Sequence, residues 1–426
     1  MRSFCSGGSL LVRNIGRLLT MEPGEGLHGI KNAAIVARDG IIQYVGSEAS
    51  LNFEDAKDLP VIDAKGGLVT PGLVECHTHT IFAGYRTDEF EARGAGLSYE
   101  EITRRGGGIM MTVRATRAAS KEELFELGRQ RLWRFLSQGV TTVEVKSGYG
   151  LTLESEIKIL EVVRELKNAV PVDIVPTFLG AHTIPPEYRT SKSKRERFVE
   201  SIYKEWIPEV AKRGLAVFCD CFCESVAFSV EEAFAVLKAG MEYGLLPKLH
   251  ADQLSRSGGA ALAAELGAVS ADHLDFAERS DLEAMARKGV VAVLLPGCAL
   301  SLGQTRFPDA GFLRKLGLTV ALSTDFNPGS SVTQNLFLMG TLAVAYMGLS
   351  VREAWEAVTC NSAKAVGLGH KVGKLAIGYQ ADLLLFPEDD PRICFYEYGG
   401  QYPSKVIKKG VVVVERSEDG EVIYHR

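Results

Sequence analysis

Five of the eight histidines in the chain stand at or just after the end of an apolar, strand-like run. Imidazole is a common metal ligand in proteins, and two of these residues form the pair His77-Thr-His79. Residues two apart in an extended segment face the same side, so both imidazoles can point at one ion. Such a pair alone is weak evidence for a metal site. The five histidines are His77, His79, His182, His250 and His273.

Two further residues complete a candidate ligand set. His250 closes an apolar run in the segment HADQ, and Asp325 closes another in STDFNPGS. Each has an ordinary explanation alone, since His250 could be a hydrogen-bonded core residue and Asp325 a helix N-cap. Three histidines and one aspartate that leave positions open for water are typical of a catalytic metal site. The ion would lower the pKa of its water to about 7. Asp325 could then take the proton, and His273 could orient the water or stabilise the oxyanion.

The elements that must hold these residues alternate between apolar strands and long helical segments from about residue 68 onward. This alternation predicts a parallel sheet, and the count of eight strands favours a closed (β/α)8 TIM barrel over a doubly wound open sheet. Polar residues end nearly every strand, at the edge where barrel enzymes keep their chemistry. The predicted strands are 67–76, 139–147, 171–180, 215–224, 245–252, 268–274, 290–297 and 319–325.

Short, glycine-punctuated strands occupy residues 9–70 and reappear after about residue 371. The second group could be a separate C-terminal β domain, but we favour both ends pairing into one small β-sandwich beside the barrel. We therefore predict an α/β fold with 1–67 as the N-terminal half of the sandwich, 68–369 as the TIM barrel and 370–426 as the C-terminal half.

Composition excludes several classes of function. With 53 acidic and 48 basic residues, neither sign of charge indicates a nucleic-acid or membrane partner. The N-terminus has no signal-like apolar run, and no stretch approaches the roughly 18 apolar residues of a membrane span. Eight cysteines in so long a chain are no disulfide framework, and we expect a reducing, cytoplasmic location. Cys219, Cys221 and Cys223 alternate on one strand face, which favours core packing over a zinc cluster.

Several motifs together indicate a family. The segment VTPGLVECHTHTIFAG (69–84) resembles the amidohydrolase superfamily signature, and TCNSAKAVGL with GKLAIGYQADLLLF resembles that superfamily's C-terminal return into the β domain. Within the superfamily, nearly the whole chain is most similar to the imidazolonepropionase family. The motifs that carry this resemblance are HTHTIFAGYRTDEFEARGAG (77–96), GGGIMMTVRATR (106–117), TTVEVKSGYGL (141–151), LGAHTIPPEY (179–188), HADQLSRSGGA (250–260) and STDFNPGS (323–330).

The resemblance implies a reaction, a cofactor and a set of site residues. The reaction is hydrolysis of the cyclic amide of 4-imidazolone-5-propanoate to N-formimidoyl-L-glutamate in histidine degradation. The cofactor is one zinc or iron ion (Zn2+ or Fe3+) per subunit, and the partner is the small-molecule substrate, without nucleic acid or membrane; we also expect a homodimer. The implied metal ligands are His77, His79, His250 and Asp325, and the implied substrate contacts are Arg86, Tyr149, His182, Gln253, Asn327, Gly329 and Ser330.

The residue types agree with this substrate. A propionate carboxylate is well matched by an arginine fork, and Arg86 follows the first strand, although a surface arginine is an equal alternative. Tyr149 lies between Gly148 and Gly150, which let the backbone come close to a ligand; the alternative is a buried tyrosine with a paired hydroxyl.

Gln253 and Lys146 distinguish among relatives. Where the resembled family has an acid or its amide, this chain has Gln253, which can hydrogen-bond the substrate but cannot carry a proton. We place Gln253 among the catalytic residues with Asp325 and His273, and leave proton transfer to those two or to water. The related nucleobase deaminases need a glutamate at this position, so deamination is disfavoured, while another lactam hydrolase stays an alternative. A non-catalytic protein of this fold would have lost ligands, and all four are present. We interpret Lys146 as structural or substrate-adjacent and the site as mononuclear.

Overall fold

Two sheets contain the seventeen strands found among the described residues, which are 7–97, 101, 107–304, 306–399, 402–417 and 419–425 of the computed structural model. The strands are β1 (Leu10–Leu18), β2 (Ile30–Arg38), β3 (Ile41–Ser47), β4 (Val61–Asp63), β5 (Leu68–Pro71), β6 (Leu73–Glu75), β7 (Val140–Lys146), β8 (Asp173–Ala181), β9 (Phe218–Cys223), β10 (Leu246–Ala251), β11 (Ser270–His273), β12 (Val291–Leu294), β13 (Val320–Leu322), β14 (Leu383–Phe386), β15 (Lys405–Lys408), β16 (Val411–Arg416) and β17 (Val422–Tyr424).

Strands β6 to β13 form the barrel, each pairing in parallel with the next. The ring closes just beyond the ends of the first and last strands, where Thr78 pairs with Phe326 and the His79 amide donates to the Phe326 carbonyl at 2.9 Å. The predicted TIM barrel is therefore confirmed. This closure also brings the segment after β6 directly beside the segment after β13, so His79 and Asp325 become neighbours.

Helices cover the outside of the barrel and begin where the sequence places their caps. Two of the longest span Lys121–Ser137 and Leu153–Leu166, and they follow the N-caps Ser120 and Thr152. The others are Thr87–Gly94, Ile109–Ala118, Lys192–Ser201, Ile207–Lys212, Val230–Glu242, Gly259–Leu266, Arg279–Lys288, Pro296–Ser301, Ala310–Lys315, Leu336–Tyr346, Val351–Ala357, Cys360–Ala365 and Ile393–Tyr396, with a π-helical turn at Ile202–Trp206.

The second sheet joins the two ends of the chain. Its order is β17-β16-β15-β14-β5-β1-β2-β3, with β4 beside β1, and the antiparallel pair of β14 and β5 links the C-terminal strands to the N-terminal ones. A separate apolar core packs on it, with Val12, Ile35 and Leu383 fully buried. The pairing of both ends into one small β unit is confirmed. The domain boundaries at 67/68 and 369/370 stay predictions.

One predicted strand is divided between the two sheets. Residues 67–76 are not a single strand, because β5 belongs to the end sheet and β6 to the barrel. Gly72 lies at the crossing, where its amide bonds to the Asp382 carbonyl at 2.9 Å. A Cβ there would meet the Thr141 hydroxyl at 2.2 Å, so the crossing requires glycine. The apolar pattern is continuous across residues 67–76, so the sequence does not indicate that the chain passes from one sheet to the other at Gly72.

The alternating cysteines of β9 pack into the core, as expected. Cys219, Cys221 and Cys223 are fully buried and unpaired, like the other described cysteines. Cys219 packs so closely on Gly240 of helix Val230–Glu242 that a Cβ on that glycine would lie 2.7 Å from it. None of the helices in the described part of the chain has both the length and the apolarity that crossing a membrane requires.

Candidate active site

Three histidines and one aspartate converge at the carboxyl end of the barrel. The Nε2 atoms of His77 and His79 lie 3.4 and 3.5 Å from the same Asp325 carboxylate oxygen. The His250 Nε2 lies 3.4 Å from the His79 Nε2. None of the four residues is more than 3% exposed. The structure thus brings together all four predicted ligands, from segments that follow β6, end β10 and follow β13.

The four side chains are better arranged to bind a cation than to form hydrogen bonds with one another. The ligand atoms of the three histidines all lie within 4.8 Å of one another. His77 Nε2 is buried and has no hydrogen-bond partner among the described residues. Its Nδ1 lies 2.6 Å from Asp272, and the Nδ1 of His250 lies 3.1 Å from Asp220. Carboxylates on Nδ1 turn the Nε2 lone pairs inward, which is how histidines are prepared for a metal ion. The residues therefore fit a bound metal.

Sequence reasoning missed these two orienting carboxylates, although the pattern contains them. The alternation that turns Cys219 and Cys221 outward from β9 turns Asp220 inward. In the same way Asp272, just before His273 on β11, faces the barrel interior. Both carboxylates are fully buried. The alternation of side chains along a strand therefore already indicated that Asp220 and Asp272 face the barrel interior. Their role as orienting carboxylates could be inferred only after the histidines above them were known to converge.

Two of the proposed catalytic residues have left-handed backbones. His273 has φ of 78° and Asp325 has φ of 52°, values that non-glycine residues adopt at a cost of roughly 1–3 kcal/mol. His273, Cys298 and Asp325 have potential ligand atoms within 4.8 Å of one another, so His273 stands beside the metal site. The Gln253 amide donates to the Cys298 sulfur at 3.5 Å. The backbone geometry therefore directs His273 and Asp325 toward one point.

Burial and close neighbours shift the protonation of these groups. Burial lowers the pKa of His273 well below its usual value, and burial together with the neighbouring His79 and His250 does the same for His182. Burial would raise the pKa of Asp325, but its proximity to His77 and His79 holds the pKa well below its ordinary value. The site therefore presents neutral imidazoles from His273 and His182 and a charged carboxylate from Asp325.

A cavity of about 740 Å³ opens above the candidate metal ligands. Its wall contains every predicted site residue except His77, which lies beneath the floor. Arg93, Phe222 and Leu302 also line it and were not predicted. The predicted residues in its wall are His79, Arg86, Tyr149, His182, His250, Gln253, His273, Asp325, Asn327, Gly329 and Ser330.

The guanidinium of Arg86 packs closely against Gly329 in the loop that follows β13. A Cβ on Gly329 would lie 1.0 Å from the Arg86 Nη2, so the guanidinium occupies the space that any side chain at 329 would need. The Arg86 Nε and Nη1 atoms are buried and have no hydrogen-bond partner among the described residues, and Glu89 stays 3.7 Å away. Buried donors without acceptors are costly unless a ligand satisfies them. Arg86 is therefore a candidate anion site.

Asn327 organises the loop around Arg86. Its Oδ1 accepts from the amides of Gly329 and Ser330, each at 2.8 Å. Its Nδ2 donates to the Asp325 carbonyl at 2.7 Å and to the Ser330 hydroxyl at 3.0 Å. The side chain thus connects Asp325, a candidate metal ligand, to the loop residues beside Arg86.

The loop that carries Tyr149 is fixed by a buried carboxylate. Glu156 accepts from the amides of Gly148, Gly150 and Leu151 at 2.7–2.8 Å. The Gly148 carbonyl in turn lies 3.0 Å from the Nδ1 of His182, whose ring stacks on His79 with 4.9 Å between centroids. Sequence reasoning missed Glu156, and its only signal was a carboxylate in the first turn after a glycine-rich loop. Tyr149 and His182 are thereby placed on one side of the cavity.

We expect Gly329→Ala to weaken substrate binding by displacing Arg86. The glycine has an ordinary φ, so the backbone tolerates alanine and the effect comes from the added methyl group. KM should rise ~10- to 100-fold, about 1.4–2.8 kcal/mol, with kcat nearly unchanged. Gly94→Ala is the matched control, because Gly94 also has an ordinary φ and has open space around it. Equal KM values in the two variants would mean that Arg86 does not contact substrate.

This chain is similar over most of its length to known amidohydrolases. The model of the amidohydrolase family matches residues 68–413. The imidazolonepropionase of a Geobacillus species is 46% identical over 419 residues, which cover 95% of this chain and 98% of the relative. The imidazolonepropionase of Brevibacillus brevis is 48% identical over 391 residues, or 90% and 91% of the two chains.

Solved structures share the fold at low sequence identity. The 5-methylcytosine deaminase of Klebsiella pneumoniae superposes with a TM-score of 0.72 at 17% identity and covers 98% of this chain and 99% of its own. The zinc-bound adenosine deaminase of Xanthomonas campestris gives a TM-score of 0.69 at 17% identity, with 95% and 93% covered. At these identities the likeness supports the barrel with its β unit and leaves the reaction to the site residues.

Proposed function

This chain belongs to the imidazolonepropionase family of amidohydrolases, and on that basis we propose how its residues hydrolyse the cyclic amide of 4-imidazolone-5-propanoate to N-formimidoyl-L-glutamate, a step in histidine degradation. The observation that carries the proposal is a cavity with converging metal ligands on its floor and an arginine with unsatisfied donors in its wall. The first arrangement suits attack on a carbonyl, and the second suits the propionate carboxylate.

We assign the metal to His77, His79, His250 and Asp325, and propose one zinc or iron ion. The support is the short spacing of their ligand atoms and the carboxylates on the outer nitrogens of His77 and His250. When bound, such an ion supplies a water of lowered pKa and polarises the lactam carbonyl. Histidine-rich sites with an open position are the catalytic kind.

Asp325 and His273 handle the proton and the developing charge. Asp325 turns Oδ1 toward His77 and His79, which leaves its other oxygen to take the proton of the attacking water. The water oxygen bonds to the lactam carbon, the carbon–nitrogen bond breaks, and the leaving nitrogen receives the proton held by Asp325. His273 is neutral, so it can donate one hydrogen bond to the developing oxyanion.

The remaining wall residues hold the substrate. Arg86 provides two buried donors for the propionate, with Gly329 and Ser330 beside it. The Nδ1 of His182 donates to the Gly148 carbonyl, so its Nε2 is left as an acceptor for a ring N–H. Tyr149 lines the same side.

Gln253 favours hydrolysis over deamination. Its amide nitrogen contacts Cys298, which leaves the carbonyl oxygen facing the cavity as an acceptor. An amide at this position cannot give a proton to a ring nitrogen, as a deaminase would require. We therefore assign Gln253 to orienting the imidazolone ring.

The direct test is turnover of freshly prepared 4-imidazolone-5-propanoate. We expect the metal-loaded protein to remove the ultraviolet absorbance of the ring far faster than spontaneous decay, with N-formimidoyl-L-glutamate identified by mass spectrometry. Cytosine and guanine serve as controls and should be unchanged. Decay at the spontaneous rate, or ammonia release from a nucleobase, would refute the assignment.

Two further expectations accompany the proposed reaction. We propose a homodimer, which light scattering of the full chain would test against monomer and tetramer. We propose a cytoplasmic location, in keeping with the buried free thiols, since seven described cysteines are unpaired. Fractionation of the source cells would test it.

A further inference from the structure

A buried lysine lies directly beneath the metal ligands. Lys146, the last residue of β7, is fully buried and does not line the cavity. Its Nζ lies 2.8 Å from Glu144, 2.8 Å from Asp220 and 3.8 Å from Asp272. Burial would lower its pKa, but the carboxylates of Asp220 and Glu144 raise the pKa above the ordinary value. Lys146 is thus a charged group among three carboxylates from three strands.

Two of these carboxylates are the ones that orient metal ligands. The Asp272 oxygen nearest Lys146 is also the oxygen 2.6 Å from the His77 Nδ1. The Asp220 oxygen nearest Lys146 is likewise the one 3.1 Å from the His250 Nδ1. Each oxygen is therefore shared between the ammonium and an imidazole. Removing the ammonium would leave the buried carboxylates of Glu144 and Asp220 without the cation that pairs with them, which is strongly unfavourable.

We propose that Lys146 is a positioning residue that acts as an internal cation. It holds Asp220 against His250. It also limits the site to one metal ion by filling the place between the carboxylates of Glu144, Asp220 and Asp272 that a second cation would occupy. The inference rests on the proposed metal site. Carboxylates are common ligands of divalent cations, and the ions of two-metal sites lie roughly 3.5–4 Å apart.

A second buried lysine provides a matched control. Lys248 is also fully buried, but its Nζ lies 3.9 Å from Asp272 and donates to the carbonyls of Cys76 and Ala365 at 3.3 and 3.1 Å. It therefore shares with Lys146 its burial, its charge and a long contact with Asp272, but among the described residues only Lys146 forms ion pairs with Glu144 and Asp220. Substitution of Lys248 should affect stability without changing metal stoichiometry.

The test compares metal binding in Lys146→Met and Lys248→Met. Metal-free protein is titrated with Zn2+ against a chromophoric chelator, and tightly bound zinc is counted by elemental analysis. For Lys146→Met we expect the first ion to bind ~10- to 100-fold more weakly, because an outer-shell support is lost. We also expect a second ion to bind when zinc is in excess. Lys248→Met should bind one ion with wild-type affinity.

Thermal unfolding verifies that each variant is folded. If Lys146→Met fails to fold, Lys146→Gln replaces it, because glutamine keeps a hydrogen-bond donor but carries no charge. One ion bound with unchanged affinity in the Lys146 variant would overturn the inference. A wild-type protein that binds no ion would instead refute the proposed metal site, so the two failures are distinguishable.

Discussion

His250→Ala should yield a folded protein that holds no tightly bound metal and turns over no imidazolone propionate above background. His250 lies centrally among the ligands, with its Nε2 3.4 Å from that of His79. Without His250, the candidate ligands that remain are the imidazoles of His77 and His79 and the carboxylate of Asp325. The carboxylate of Asp220 also loses the imidazole beside it. We expect activity to fall at least about 1000-fold, because the ion supplies both the activated water and the carbonyl polarisation.

The matched control is His370→Ala, since His370 is exposed and is not among the described residues that line the cavity. Metal content by elemental analysis and circular dichroism should be measured on both variants beside the wild type. His370→Ala should match the wild type in metal and turnover. Retention of a full equivalent of metal with normal turnover by His250→Ala would contradict the assignment of this ligand.

Arg86→Ala should mainly raise KM. The guanidinium would form two charged hydrogen bonds with the propionate, each contributing about 1.5–3 kcal/mol. Their combined loss, about 3–6 kcal/mol, corresponds to a KM increase of roughly 100- to 10,000-fold. The carboxylate is remote from the reacting carbonyl, so its binding is similar in the ground and transition states and kcat should change little.

A neutral analogue separates this role from a general effect on the site. With the propionamide form of the substrate, wild type and Arg86→Ala should have similar, poor KM values, since there is no carboxylate to bind. The variant should lose affinity only for the charged substrate. A collapse of kcat with KM unchanged would contradict the anchor role and would place Arg86 at the reacting centre.

The barrel and the convergence of the four candidate metal ligands could be predicted because their signals are local. Apolar strands ending in polar residues placed His250 and Asp325 at one edge, and the two-residue spacing put His77 and His79 on one face. Helix starts were equally local, since Ser120 and Thr152 cap the helices that follow them. Each of these inferences needed only neighbouring residues and the geometry of one element.

The supporting contacts could not be predicted because they join residues far apart in the chain. Nothing near Lys146 in sequence indicates Asp220 or Asp272, and nothing near Arg86 indicates that Gly329 must lack a side chain. The change of sheet at Gly72 could not be predicted either, because the strands on both sides of it are apolar. These features depend on register between strands, which the closed barrel determines only as a whole.

The most direct test of the central claim is reconstitution of the metal-free protein, with imidazolone propionate turnover measured against bound metal per chain. A single-ion site predicts that activity rises linearly and stops rising at one equivalent, for whichever of zinc and iron supports turnover. Full activity in the metal-free protein, or a linear rise that continues to two equivalents, would contradict the account.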